Sequence, residues 1–188
     1  MKQLVIFIGI ILTMGFGCTP DEKDSSPAPP VEAVFRLVNE SGQETTSFSV
    51  GEDILFDYAL VNRTDEGVSW YFSRSEFNYP DLFTVFRKVS PNAEMLNGGV
   101  MKVGTPHTSK MYRDFRLGRS IPANGEMSIR MTWLGNWDRT YMFDNWMIEY
   151  HNRDHLPAGN YYVEFEQEIV FAKYKNLNKT FRIDFEVK

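Results

Sequence analysis

Cysteine is almost absent from the chain: the 188 residues contain only one, Cys18. A single thiol cannot form an intrachain disulfide and cannot build a cysteine-based zinc site. Common catalytic signatures are missing as well. The sequence has no Gly-x-Ser-x-Gly elbow, and Gly98-Gly99 lacks the lysine and hydroxyl residue of a phosphate loop. We therefore predict that the protein is not an enzyme and that it uses no cofactor.

The sequence also lacks an excess of positive charge. Lysine and arginine number 20 against 25 aspartate and glutamate residues, a formal net charge of −5 at pH 7. Because nucleic-acid binding requires a basic face, no nucleic-acid partner is predicted. The three arginines Arg113, Arg116 and Arg119 have a spacing that suits an anion site, but an alternating solvated strand face gives the same spacing. We predict that these arginines lie on a solvated strand face and do not form an anion site.

The first eighteen residues have the pattern of an export signal. A short basic start at Lys2 precedes an apolar run over residues 4–14, and Gly15-Phe16-Gly17-Cys18 closes it. The run is too short to span a bilayer comfortably, so it indicates a cleaved leader. It resembles the bacterial lipoprotein signal, in which a small residue, here Gly17, precedes the cysteine that is lipidated. Gly15 departs from the aliphatic residue usual at its position, and a plain signal peptide or an uncut anchor are the alternatives.

Residues 19–30 predict a tether. Their sequence, TPDEKDSSPAPP, combines four prolines with charged and hydroxyl residues and cannot bury enough apolar surface to fold. The predicted organisation is a lipoprotein-type signal peptide at 1–17, a lipidated Cys18 with a flexible tether through residue 30, and one folded domain at 31–188. The predicted location is the bacterial cell envelope, on a membrane and facing the periplasm or the cell exterior.

The folded part is dominated by period-2 patterns and aromatic residues, which make up 15% of the chain. No fixed-period repeat and no sustained helical stripe interrupts them over most of the chain. An all-β fold, an antiparallel two-sheet sandwich, is predicted, with a closed barrel as the alternative. Strands are predicted at residues 31–38, 46–50, 54–61, 68–72, 82–89, 100–103, 110–117, 127–133, 161–171 and 179–188.

The strand that begins at Tyr161 carries the most specific fold signal. Tyr161, Val163 and Phe165 alternate with Tyr162, Glu164 and Glu166, and the turn Pro157-Ala-Gly-Asn precedes them. A Tyr at this position resembles the tyrosine corner of immunoglobulin-like (Ig-like) sandwiches, in which its hydroxyl bonds the backbone just upstream.

Residues 134–155 interrupt the strand pattern with a short helical or irregular insertion. Asp144 is suited to cap a helix of two or three turns that carries Trp146, Met147 and Tyr150 on one stripe. Long connections in compact domains are often functional, and aromatics dominate binding hot spots. Packing against the sandwich is the competing role for these aromatics. The candidate partner-binding residues are Trp137, Tyr141, Trp146 and Tyr150.

The same insertion ends in His151, Asp154 and His155, which are close enough in sequence to share a metal ion. His-x-x-Asp-His is not an established ligand spacing, so no metal site is predicted and metal-assisted hydrolysis is kept as a remote alternative.

Three turn motifs resemble the intracellular proteinase inhibitor family of Bacillus type, a small Ig-like domain. They are Gly51-Glu52-Asp53 before a strand ending Val-Asn-Arg-Thr, Pro-Ala-Asn-Gly at residues 122–125, and Pro-Ala-Gly-Asn-Tyr at 157–161. The resemblance implies an Ig-like fold and, by the family's name, proteinase inhibition; the leader and the insertion depart from it. The predicted function is a non-catalytic interaction module for a protein or glycan partner, anchored to the membrane through lipid at Cys18, with proteinase inhibition as the alternative.

Overall fold

A computed structural model describes residues 26–72, 82–89, 99–111, 119–135, 146–150 and 154–188. Within them the chain forms twelve strands and no helix. The strands are β1 Val31–Val38, β2 Ser47–Phe48, β3 Leu55–Asn62, β4 Val68–Phe72, β5 Thr84–Lys88, β6 Val100–Gly104, β7 His107–Met111, β8 Arg119–Ile121, β9 Glu126–Thr132, β10 Trp146–Tyr150, β11 Gly159–Phe171 and β12 Leu177–Val187.

The first sheet has the order β1-β3-β9, with antiparallel pairing throughout. The central strand β3 is buried over most of its length, including Phe56, Tyr58 and Leu60 at 0% exposure. These three residues face the core, in agreement with the strand predicted at 54–61. In β9, Ile129 and Met131 are likewise buried, at 1% and 0%.

The second sheet is organised around β11, the strand that the sequence marked most clearly. Its order is β2-β12-β11-β4-β8, and β5 with its neighbour β6 lies beside the first half of β11. β12 covers one edge of β11 from Gly159 to Ile169, while β5 and β4 share the other edge. Only β2 pairs in parallel, with the end of β12. The fold is an all-β, Ig-like two-sheet sandwich, as predicted.

Aromatic rings fill the space between the two sheets. Phe35 of the first sheet lies 4.9 Å from Phe165 of the second, edge to face, and Tyr58 meets Phe181 at 5.4 Å in the same geometry. Phe83 stacks on Phe35 at 5.4 Å. Edge-to-face and offset pairs add stability beyond the area that they bury.

Phe83 also explains where β5 begins. Its backbone φ is 59°, in the left-handed region that bulky residues seldom occupy. The strand predicted at 82–89 therefore starts only at Thr84. The side chain is fully buried at 0% exposure, and its ring contacts offset the unfavourable backbone conformation.

The structure corrects the sequence prediction at three places. Residues 146–150, predicted to lie in a short helix, form strand β10, which pairs antiparallel with β7. Backbone pairing with a segment almost forty residues upstream thus decides the structure of this part of the insertion. Strand β7 spans His107–Met111 and so begins before the strand predicted at 110–117. Strand β8 was not predicted.

The sandwich has two ends, which we name for use below. The corner end comprises residues 38–44, 49–54, 133–135, 154–159 and 186–188, and the hairpin end comprises residues 62–67, 122–125 and 172–176. The thirteen-residue strand β11 runs from the first to the second.

Candidate functional site

The tyrosine corner is present at the corner end. The Tyr161 hydroxyl donates a hydrogen bond of 2.6 Å to the carbonyl oxygen of Pro157. The Arg87 guanidinium donates to the carbonyl oxygen of Ala158 at 2.8 Å and lies 5.8 Å from the centroid of the Tyr161 ring. Burial raises the pKa of the Tyr161 phenol, and the Arg87 charge opposes that rise. The connection into β11 is thereby fixed by two side chains.

The predicted insertion leaves and rejoins the sandwich at one point on this end. The Trp133 indole donates from Nε1 to the carbonyl oxygen of Asp154 at 3.1 Å, which joins the start of the insertion to its finish. The backbone N–H of Leu134 donates to the buried Asp53 carboxylate at 3.0 Å, and the N–H of Ile54 donates to the same oxygen at 2.9 Å. Leu156, 4% exposed, packs into the core just after the insertion. The insertion is therefore held at its base.

Strand β10 of the insertion pairs with β7, which lies upstream of the insertion in the chain, and the two strands form a ribbon that pairs with no other strand among the described residues. Trp146 pairs with Met111 and Tyr150 pairs with His107, so these two candidate residues occupy the two ends of β10. Residues 146, 148 and 150 are alternate residues of this strand. The structure thus brings Trp146 and Tyr150 into one strand, while Trp137 and Tyr141 lie outside the described residues.

The other candidate chemistry finds little support among described residues. Asp154 and His155 are exposed, and His151 lies outside the described part. No group of three or more His, Cys, Asp or Glu residues in that part could hold a metal ion. Arg119 lies in β8 opposite Trp70, while Arg113 and Arg116 lie outside the described residues, as does Cys18.

Sequence analysis missed a second surface, on the outer face of the sheet that contains β11. The rings of Phe86 and Tyr162 stack at 4.8 Å, and the Arg182 guanidinium lies 3.8 Å from the centroid of the Tyr162 ring. Lys88 and Arg182 both contact Asp184, at 2.6 and 3.4 Å. Tyr162 was predicted to face water, yet it is only 9% exposed because these neighbours cover it.

A third feature, on the outer face of the first sheet, is an ion cluster around Asp57. Arg36 contacts one carboxylate oxygen at 2.7 Å and Arg130 contacts the other at 3.0 Å, while Asp57 is 4% exposed. The hydrogen bond to Asp57 raises the pKa of the Arg36 guanidinium. Since both oxygens of Asp57 are occupied by neighbouring strands, the cluster ties β1, β3 and β9 together, which is a structural role.

Comparisons with known proteins show no family for this chain. No family model matches the chain, and no curated protein matches it. Among solved structures it is similar to the ASH/PapD-like domain of human CEP192 (PapD-like domain 7), at 12% identity and a TM-score of 0.40, over 100% of this chain and 98% of that one. It is also similar to a Northeast Structural Genomics Consortium target, at 12% identity, a TM-score of 0.28 and 82% and 86% coverage.

A third similar structure is a beta-glucosidase from Listeria innocua, at 11% identity and a TM-score of 0.25. There, 82% of this chain matches 16% of the enzyme. All three TM-scores are below 0.5, so the fold class rests on the sheet order and on the bond from Tyr161 to Pro157. Over the part of the chain that the structure describes, no helix is long and apolar enough to cross a membrane.

Proposed function

We propose that this chain is an envelope lipoprotein whose Ig-like sandwich acts as a non-catalytic interaction module for a protein or glycan partner. The observation that carries the proposal is the insertion: it is bonded at its base through Trp133 and Asp154, and its strand β10 pairs, among the described residues, with β7 alone. An extension held at its base is positioned as a binding surface at lower entropic cost than a free loop.

The binding residues proposed within it are Trp137, Tyr141, Trp146 and Tyr150. Aromatic rings supply a large contact area with few rotatable bonds, and they suit both sugar faces and protein hot spots. Among the described residues, β10 pairs along one edge alone, with β7, and a partner strand adding to its other edge would gain main-chain hydrogen bonds.

Membrane anchoring is the second part of the proposal and rests on sequence alone. The apolar leader ending in Gly17-Cys18 supports lipidation of Cys18, and several acyl chains would hold the chain on a membrane. Mass spectrometry of the N-terminal peptide from the membrane fraction tests this. The expected result is a diacyl or triacyl mass on Cys18, and an unmodified thiol would refute it.

The binding role is tested by placing a photo-crosslinking phenylalanine analogue at position 146 or 150 of the full chain, produced with its leader in bacteria. The expected result is one crosslinked species shared by both positions and identified by mass spectrometry as a protein or a glycan. The control position is Tyr174 at the hairpin end, half-buried and remote from the insertion.

Replacing Trp146 and Tyr150 together by Ala should abolish capture of that species by the purified full chain while the melting temperature changes by less than a few degrees. Equal capture by the original and the double variant would show that these aromatics are packing residues.

Proteinase inhibition is the alternative function, motivated by the family resemblance of the three turn motifs. Two of those motifs are in direct contact: the Asn62 side chain donates to the carbonyl oxygen of Pro122 at 2.9 Å, and the N–H of Asn124 donates to the carbonyl oxygen of Thr64 at 2.8 Å. These hydrogen bonds give the two motifs a structural role, because they join two turns of the sandwich. Slowing of at least one enzyme in a broad proteinase panel is the result that would favour inhibition over the interaction module.

A further inference from the structure

The chain enters the sandwich beside the β11–β12 hairpin. The backbone N–H of Lys175 donates a hydrogen bond of 2.9 Å to the carbonyl oxygen of Pro27. A few residues later, Val31 pairs with Asn62 at the same end of the sandwich. Pro27, close to the start of the described chain, therefore lies at the hairpin end, and the corner end with the base of the insertion lies at the far end of β11.

The tip of this hairpin is basic in a chain whose net charge is −5. Lys173, Lys175 and Lys179 lie in and beside the turn and are exposed, and no acidic residue occurs between Glu168 and Asp184. Lys179 donates to the carbonyl oxygen of Ala33 at 3.3 Å, whereas Lys173 and Lys175 form no ion pair with any residue that the structure describes.

Other charges at the same end are mixed. Arg63 is paired with Glu32 at 2.8 Å, and the turn between β3 and β4 also carries exposed Asp65 and Glu66. The positive surface is thus the hairpin tip itself and does not extend over the whole end. The corner end differs, since exposed Glu40, Glu44 and Asp154 lie there.

We infer that the β11–β12 hairpin tip docks on the anionic lipid headgroups of the membrane that anchors the chain, so that the corner end and the base of the insertion face away from it. This inference rests on the proposed lipid anchor at Cys18. Lysines close to an anionic leaflet bind it electrostatically, and the attraction falls off within a Debye length.

The length of the linking segment permits this contact. Eight residues separate Cys18 from Pro27, which at about 3.1 Å per residue reach roughly 25 Å when extended. Such a tether allows the tip to touch the surface and also allows it to stand clear, so charge complementarity decides between the two. Docking would fix the orientation of the sandwich, which a lipid attached at Cys18 does not do by itself.

The test places an environment-sensitive fluorophore on a cysteine introduced into the lipidated full chain, where Cys18 is blocked. Asn176→Cys labels the hairpin tip and Val50→Cys labels the corner end; both residues are exposed, Val50 at 58%. The chain is reconstituted in phosphatidylcholine vesicles with or without phosphatidylglycerol. A headgroup-attached quencher reports which label lies at the surface.

The expected result is strong quenching of the label at position 176 in phosphatidylglycerol vesicles, little quenching at position 50, and loss of the difference in high salt. Lys173→Glu combined with Lys175→Glu should weaken docking by at least about tenfold. Equal quenching of the two labels, or quenching at 176 that does not depend on phosphatidylglycerol, overturns the inference.

The mass of the N-terminal peptide separates failure of the lipid anchor from failure of the hairpin docking. If the N-terminal peptide carries no lipid, the proposed anchoring is wrong, and the unlipidated chain is then floated with the same vesicles. Salt-sensitive co-flotation that the double charge reversal abolishes would support the hairpin surface on its own, whereas its absence would refute it.

Discussion

At the scale of single residues, Tyr161 offers the most direct test of the fold. Replacing Tyr161 by Phe removes the hydroxyl that donates to Pro157 at 2.6 Å while keeping the buried ring. The expected loss in the free energy of unfolding is about 1 to 2 kcal/mol, because the carbonyl oxygen of Pro157 loses its donor. Urea denaturation of the two proteins measures it. Tyr162→Phe is the matched control, since no hydrogen bond from its hydroxyl is described.

The pH dependence gives this variant a second signature. Burial raises the pKa of Tyr161 above its ordinary value of 10.0, so the neutral form is favoured in the folded state. Its contribution is fully present below pH 10.0 and is lost as pH rises through the folded-state pKa. The original protein should therefore lose stability more steeply in strong alkali than Tyr161→Phe does. Parallel alkaline curves would contradict the role assigned to this hydroxyl.

Gln167 is a polar residue on the inward side of β11, and it predicts a stabilising substitution. It is 3% exposed, and its side-chain carbonyl oxygen has no hydrogen-bond partner among the described residues. Gln167→Leu should raise the free energy of unfolding by about 1 kcal/mol, since it removes a desolvated and unpaired acceptor at similar volume. Gln167→Glu is the control and should destabilise by burying a charge. A destabilised Leu variant would mean that the amide has a favourable partner.

Single residues also show what alternation alone cannot predict. Tyr161 was correctly placed inside and identified as a corner residue from its own turn, a local signal. Tyr162 and Asp57 face outward as alternation requires, yet both are buried. Their cover comes from Phe86, Arg182 and the arginines of β1 and β9, which lie far away in sequence. Outward orientation follows from sequence period, whereas exposure depends on neighbouring strands.

At the scale of elements, Asn62 joins two turns that the sequence presents separately. Its amide nitrogen donates to the carbonyl oxygens of Glu66 and Pro122, at 2.7 and 2.9 Å, and its side-chain oxygen accepts from the N–H of Thr64 at 3.0 Å. Asn62→Ala should cost about 2 to 3 kcal/mol of unfolding free energy, because several buried groups lose partners together. Asn124→Ala, at an exposed turn position, should cost less. Calorimetry compares both, and equal losses would contradict the linking role.

The ion pair between Lys88 of β5 and Asp184 of β12, the two strands on either side of β11, predicts a small acid-dependent change in stability. A hydrogen bond from Lys88, and then one from Arg182, holds the pKa of Asp184 below its ordinary value of 3.8. The stabilisation is present above pH 3.8 and is lost as pH falls through the lower folded-state pKa. Since Asp184 is half exposed, Asp184→Asn should cost only about 0.5 kcal/mol at pH 7.

Two conditions test whether the loss of ion pairing causes the destabilisation by Asp184→Asn. Its size should shrink in high salt and vanish in strong acid, where both proteins are uncharged at this position. Chemical denaturation at pH 7 and at a series of pH values falling below 3.8 follows the loss of this cost. A cost that persisted in acid would point to packing and would count against the ion pair.

Strands with long alternation were predicted correctly. The prediction failed for β10, where the spacing of the aromatic residues fits both the helical period and the strand period. β1, β3, β9, β11 and β12 were found near their observed bounds because one apolar face runs through each. In β10, Trp146 and Tyr150 are spaced to fit both a helical stripe and one face of a strand. Pairing with β7 selects the strand, and no local signal contains that information. The same limit applies to the proposed binding surface: the sequence marks residues 134–155 as an interruption of the strand pattern, whereas the partner strand of β10 lies far away in sequence.

At the scale of the whole molecule, the sheet arrangement predicts two levels of stability. β11 is paired along both edges and lies at the centre of the core, whereas among the described residues β10 pairs with β7 alone. An isolated two-stranded ribbon is marginally stable in water, so it should open without unfolding the sandwich. Native-state hydrogen exchange in low urea measures this difference amide by amide.

The hydrogen-bonded amides of β11 should exchange only through global unfolding, with exchange rates that rise steeply with urea. The amides of β10 should exchange through a local opening. The free energy of this opening should be several kcal/mol lower than that of global unfolding and nearly independent of urea. A partner that binds the ribbon adds its binding free energy to the ribbon's stability, so protection should rise in β10 first. If β10 and β11 instead follow one urea dependence, the ribbon is part of the sandwich's cooperative unit, and a partner would bind a preformed rigid surface.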